Sequence, residues 1–129
     1  GKRFVVFGSE ELGRQYESLA DLVAVGDKPA FIALDDGKVF VVYDGQEFGW
    51  EYDFVSNPVD VNGELAFTAN DDGKWFIVYD GQKLGEEYDA IDQLIALGDT
   101  IAFAAARGGK TLVVVNNATF VPSVSSPIY

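Results

Sequence analysis

Short apolar runs broken by turns rich in glycine and aspartate fill this chain from one end to the other. Phe40-Val41-Val42-Tyr43, Phe76-Ile77-Val78-Tyr79 and Leu112-Val113-Val114-Val115 are apolar at consecutive rather than alternate positions. A strand with one wet face alternates, so these strands are predicted to be covered on both faces. A second kind of run is apolar but small, as in Ala66-Phe67-Thr68-Ala69 and Ala102-Phe103-Ala104-Ala105. Small side chains let one sheet approach another closely. Asn62-Gly63, Asp71-Asp72-Gly73 and Asp80-Gly81 mark hairpins, because the tight turns that match strand twist need residues that tolerate positive φ. One stretch is thus read as four short strands, Asn57 to Val61, Leu65 to Asn70, Lys74 to Tyr79 and Glu87 to Ile91, in an antiparallel meander.

The pattern recurs every 36 residues. Gly1-Lys2, Gly37-Lys38, Gly73-Lys74 and Gly109-Lys110 keep that spacing, as do Phe4, Phe40 and Phe76; Gly13, Gly49 and Gly85; and Tyr16, Tyr52 and Tyr88. The units run 1–36, 37–72 and 73–108, with a partial copy at 109–129 that holds its strand Thr111 to Val115 and then drifts. Glu10 to Leu22 has helix-like spacing through Leu12, Leu19 and Leu22, but Gly13 and Tyr16 match Gly49 and Tyr52 in strand-and-turn sequence, and the register overrides the helix. Four-stranded sheets with a doubly covered inner strand describe an all-β, β-propeller-like array of blades. A β-trefoil, also built from three four-stranded units, is the alternative. Propellers close with roughly four to eight blades, so three units and a part predict either a longer parent chain or copies that associate to complete a ring. The start at Gly1, directly in strand-like sequence, reads as a processed chain or a segment of a longer one.

Composition narrows the partners. A net charge of −12, from 21 acidic and 9 scattered basic residues, disfavours nucleic acid, which needs clustered Lys and Arg. No apolar run is long enough for membrane insertion. With no histidine and no cysteine, Ser-His-Asp and Cys-His nucleophiles, thiolate or imidazole zinc sites and disulfides are excluded.

The unit resembles the WD-type β-propeller repeats of bacterial periplasmic and surface proteins, in the subclass whose hairpin reads Pro-Asp-Gly-Lys before an Ala-Phe or Ala-Tyr strand. The similarity lies in Asn62-Gly63-Glu64-Leu65-Ala66-Phe67, in Gly98-Asp99-Thr100-Ile101-Ala102-Phe103 and in the run Lys74 to Gly81. The hairpin proline is missing and the unit is short for that class. The resemblance implies a secreted, periplasmic or cell-surface protein that binds other proteins or acts as a scaffold, and it supplies no catalytic motif.

Chemistry is therefore sought residue by residue. Asp35-Asp36 and Asp71-Asp72 are the acids that a calcium site would draw on; as turn residues they have a simpler role. No other cofactor is implied. Asp53 and Asp89, which follow Tyr52 and Tyr88, recur with the unit and are expected to brace backbone amides. A binding site should appear where units differ. Arg14, Trp50 and Glu86 occupy one such position, and Trp50 beside Glu47 and Glu51 is the candidate binding face. Packing over a neighbouring sheet is the competing role for Trp50, and Trp75 is expected to cover a sheet edge. The functional expectation is a non-enzymatic module for protein or ligand binding, scaffolding or self-assembly. A carboxylate-based hydrolase or lyase, calcium-dependent in one version, is the alternative.

Overall fold

The computed structural model describes residues 3–7, 10–117 and 122–128, and among them every regular element is a β-strand. Sheet I pairs β1 (Arg3–Phe7) with β2 (Glu10–Tyr16). Sheet II is the meander β3 (Ser18–Val25), β4 (Lys28–Asp35), β5 (Lys38–Tyr43) and β6 (Gln46–Phe48). Sheet III follows with β7 (Phe54–Val61), β8 (Glu64–Asp71), β9 (Lys74–Tyr79) and β10 (Gln82–Tyr88). Sheet IV comprises β11 (Ala90–Leu97), β12 (Thr100–Arg107), β13 (Lys110–Asn117) and β14 (Pro122–Ile128). The helix-like stretch after Glu10 is strand, and all pairings are antiparallel.

The same devices build each four-stranded sheet. The pairing Ala30↔Tyr43 recurs as Ala66↔Tyr79 and Ala102↔Val115. Each first strand is bulged, between Ala20 and Val23, Ser56 and Val59, and Asp92 and Ile95. Asp21, Asn57 and Gln93 sit in these bulges at φ of 56°, 55° and 54°. An extra residue there bends and twists the strand without ending it. That is why β7 begins at Phe54, upstream of the Asn57 start expected from sequence. The hairpins Asp36-Gly37, Asn62-Gly63, Asp72-Gly73 and Asp80-Gly81 hold both residues at positive φ, as type I′ turns require.

The chain leaves one sheet for the next at Glu17, Asp53 and Asp89. Their N–H groups donate to the carbonyls of Leu34, Asn70 and Ala106 at 3.1, 2.9 and 2.8 Å. Their carboxylates accept from the N–H groups of Asp36, Asp72 and Gly108. One acidic residue thus pins both the bend and the hairpin beside it. This corrects the fourth strand: Glu87 to Ile91 is the end of β10, the bend at Asp89 and the start of β11. The true fourth strand begins at Gln82 and passes Gly85, a bulge rather than a break, to pair Tyr88 with Trp75. The sheets, 18–48, 54–88 and 90–128, are consequently offset from the sequence units, and β14 completes sheet IV where the motif has drifted.

Apolar clusters join successive sheets. Tyr16 packs with Phe31, Ala33, Phe40 and Val42 between sheets I and II. Ala30, Ile32 and Val41 meet Phe67, Ala69, Phe76 and Val78 between II and III. Ala66, Ile77 and Tyr79 meet Phe103, Ala105 and Val114 between III and IV. The inner strands β5 and β9 are therefore covered on both faces, as their unbroken apolar runs required. Each repeated tyrosine lies edge-on to a phenylalanine: Tyr16 and Tyr52 to the equivalent Phe40 and Phe76 at 5.7 and 5.2 Å, and Tyr16 and Tyr88 to the equivalent Phe31 and Phe103 at 5.9 and 5.6 Å.

Candidate functional site

After Phe48 the chain leaves the sheet II ladder instead of completing it, and Gly49, Trp50 and Glu51 form a turn against sheet III. Gly49 makes this possible. Its φ is 87°, and a Cβ there would lie 3.0 Å from Val55 Cγ1 and 3.7 Å from the Phe67 ring. No L side chain fits that conformation and that gap together.

The turn and sheet III enclose a cleft of about 300 Å³, at the low end of ligand-pocket sizes. Phe48, Leu65, Phe67 and Val78 supply its apolar lining. Tyr43, Trp50 and Tyr52 add aromatic surface, and Glu47, Glu51, Glu64 and Asp80 bring carboxylates. Sequence reasoning placed Trp50, Glu47 and Glu51 together, and they all line it. Trp50 stacks on Phe40 of its own sheet, with centroids 4.4 Å apart and planes at 19°, and is still 38% exposed. Its Nε1–H donates to Glu47 Oε1 at 2.9 Å, and Tyr16 Oη–H donates to Glu47 Oε2 at 2.9 Å. Glu47 is thus held by both oxygens and fixes the indole.

Burial raises the Tyr43 and Tyr52 hydroxyl pKa values, with Glu64 adding to the first and Glu51 to the second. The Glu64 pKa is itself raised, first by the charge of Asp80 and then by desolvation. Crowded carboxylates make this rim strongly negative.

No family model, curated protein or solved structure matches the chain.

Two expected binding residues lie elsewhere. Glu86 pairs with Arg107 at 3.0 Å on sheets III and IV, because β10 stays in its ladder where β6 does not. Arg14 falls on β2, and its side chain lies outside the described residues. Asp36 and Asp72 are turn residues at φ of 51° and 54°, with their amides bound as above. Asp35 is buried and Asp71 exposed. Among the described residues no group of three or more acidic side chains is placed to hold a metal ion, and no helix is long and apolar enough to cross a membrane. Trp75 is half-buried, edge-on to Phe54 at 6.0 Å.

Sequence reasoning missed Glu64, Asp80 and Tyr43. Tyr43 and Asp80 recur in a neighbouring unit as Tyr79 and Asp44, so nothing marked them out, whereas Glu64 stands where the other units have Lys28 and Thr100 and was a unit-to-unit difference that went unused. Only the departure of the chain after Phe48 brings them to face Trp50.

Proposed function

We propose that this chain is a non-enzymatic binding and scaffolding module of the β-propeller type, with the Trp50 cleft as its ligand site. One observation carries the reading. The recurrent polar residues Glu17, Asp53 and Asp89 are engaged in holding bends and hairpins, whereas a position that varies between units, Trp50, lines the cleft. Separate four-stranded meanders that bury their faces successively support blades over a trefoil, whose strands pair between units. A protein partner and a secreted, periplasmic or surface location go with the family resemblance.

The end faces support self-association, or continuation into further units. Phe4 and Val6 are 42% and 58% exposed, yet their counterparts Phe40 and Val42 are buried against sheet I. Size-exclusion chromatography with light scattering tests this part: a defined oligomer is expected, and a stable, non-aggregating monomer of 14.0 kDa removes the open-propeller reading.

A second reading has one specific observation behind it. Glu64 and Asp80 both line the cleft, and the charge of Asp80 raises the Glu64 pKa, the arrangement of an acid beside a carboxylate. Turnover in a hydrolase screen that is lost in Glu64→Gln or Asp80→Asn favours that reading and overturns the first. A melting temperature unchanged by chelator discards its calcium version.

A further inference from the structure

Adjacent units treat the same surface differently. In sheet III, Lys83 Nζ lies 4.8 Å from the centroid of the Phe76 ring and pairs with Glu87. Nearby, the Arg107 guanidinium sits 5.1 Å from the Tyr88 ring and pairs with Glu86. Aromatic faces and carboxylates are there supplied with cations by the chain itself. One unit earlier, the position of Lys83 is Glu47, that of Arg107 is Asp71, and that of Glu86 is Trp50. Trp50 covers Phe40 where Lys83 covers Phe76. Among the described residues the cleft lining holds no Lys or Arg. Lys38 Nζ is directed to the Tyr52 carbonyl at 3.4 Å and is not part of the lining.

Resting on the reading of the cleft as a ligand site, we propose that it takes an alkylated ammonium group. The trimethylammonium end of choline and that of a trimethylated lysine share this chemistry. The size and lining suit it. A volume of about 300 Å³ admits a compact head group and little more. Trp50, Tyr43 and Tyr52 offer π faces, which attract a cation most strongly when the ring is indole. Phe48, Leu65 and Phe67 receive the methyl shell. Glu51, Glu64 and Asp80 supply negative potential at the rim, and a bound cation relieves the crowding of Glu64 against Asp80. A small hydrated ion has no use for the apolar lining, and an anion is repelled.

The test uses the 15N-labelled chain. Its two Trp residues give two indole N–H resonances, assigned with Trp75→Phe. Choline is titrated beside 3,3-dimethylbutan-1-ol, its neutral isostere, and a peptide carrying trimethyllysine. The expected result is a saturable shift of the Trp50 indole and the Gly49 and Gly81 amides, at least about tenfold tighter for the cation than for the alcohol. Glu64→Gln and Asp80→Asn, both at exposed rim positions, should weaken the choline response and leave that of the alcohol unchanged. A choline response assigns free small cations; a response confined to the peptide assigns a partner side chain; either upholds the inference. Equal affinity for choline and the alcohol overturns the cation preference and leaves the cleft as a binding site. No response to any probe overturns the site as well.

Discussion

Sheets III and IV are built on one plan and end up in different surroundings. Both are meanders with the same register, and β9 and β13 are apolar at every central position. In sheet III the face of Ala66, Thr68, Ile77 and Tyr79 is covered by sheet IV, and Ile77 is 1% exposed. In sheet IV the corresponding face carries Ala102, Ala104, Val113 and Val115, with Val113 half-buried and neighbouring Ile95 50% exposed. An identical pattern therefore prescribes a strand fit for burial on both sides, while the presence of a neighbour decides whether burial happens. Side-chain truncation separates the two. Ile77→Ala removes methyl groups from a closed core and should cost about 2–5 kcal/mol. Val113→Ala in an isolated chain should cost less, about 1 kcal/mol, because part of that side chain stays in water and its truncation leaves no closed cavity. Urea melts of both variants measure this. Comparable losses mean that another sheet covers Val113 in solution, which erases the contrast and argues for assembly through this face.

The boundary between sheets II and III offers a second contrast, expected to be somewhat smaller. Gly49 and Gly85 are equivalent positions with φ of 87° and 69°. A Cβ on Gly49 presses on Val55 and Phe67, whereas one on Gly85 meets nothing within 4 Å. Backbone strain in the left-handed region costs roughly 1–2 kcal/mol, so Gly85→Ala should lose about that amount. Gly49→Ala should lose more, about 2–3 kcal/mol once the clash is added. Equal losses would mean that the turn moves freely away from sheet III. The cleft is then not a fixed cavity.

These contrasts also explain what was legible beforehand. The 36-residue spacing made strand classes, hairpins and the roles of Asp53 and Asp89 readable, because each depends on local conformation or on pairing within the unit. Sheet boundaries were misplaced at Asp89, since a bend held by hydrogen bonds to Ala106 and Gly108 leaves no mark on apolar pattern. Half of the cleft was found through Trp50, which breaks the repeat. In the other half, Asp80 obeys the repeat, with Asp44 as its copy, while Glu64 departs from it, standing where Lys28 and Thr100 do; both come into play through a tertiary event, the early end of β6.

A third expected effect is smaller and spread over the interfaces. Tyr43, Tyr52, Tyr79 and Tyr88 all have pKa values raised, with burial the first cause and nearby carboxylates contributing. The unfolded chain releases these protons near the ordinary value of about 10, while the folded chain holds them to higher pH. The stability that they contribute is therefore complete below about pH 10 and lost as pH rises through the folded values. Melting temperature should be flat across neutral pH in this respect and fall above it. Tyr88→Phe should flatten the alkaline fall more than Tyr43→Phe, since Tyr88 is buried and Tyr43 half-buried. A fall that is unchanged in both variants would assign the alkaline loss to other groups.

The smallest effect has the opposite sign. Thr68 is 2% exposed, and its Oγ1 has no hydrogen-bond partner. The equivalent residues are Ile32 and Ala104, so the pairing of β8 with β9 does not need a hydroxyl here. A buried hydroxyl without a partner bears its desolvation cost with no return, and an isosteric methyl removes that cost. Thr68→Val should raise the urea midpoint, with unchanged slope, by an amount equivalent to about 1 kcal/mol. The half-buried site in sheet IV should respond differently: Ala104→Thr puts a hydroxyl where water reaches it, and stability should change by less than about 0.5 kcal/mol. If Thr68→Val destabilises instead, the hydroxyl has a bound water between sheets III and IV, and that interface is wetter than its apolar cluster implies.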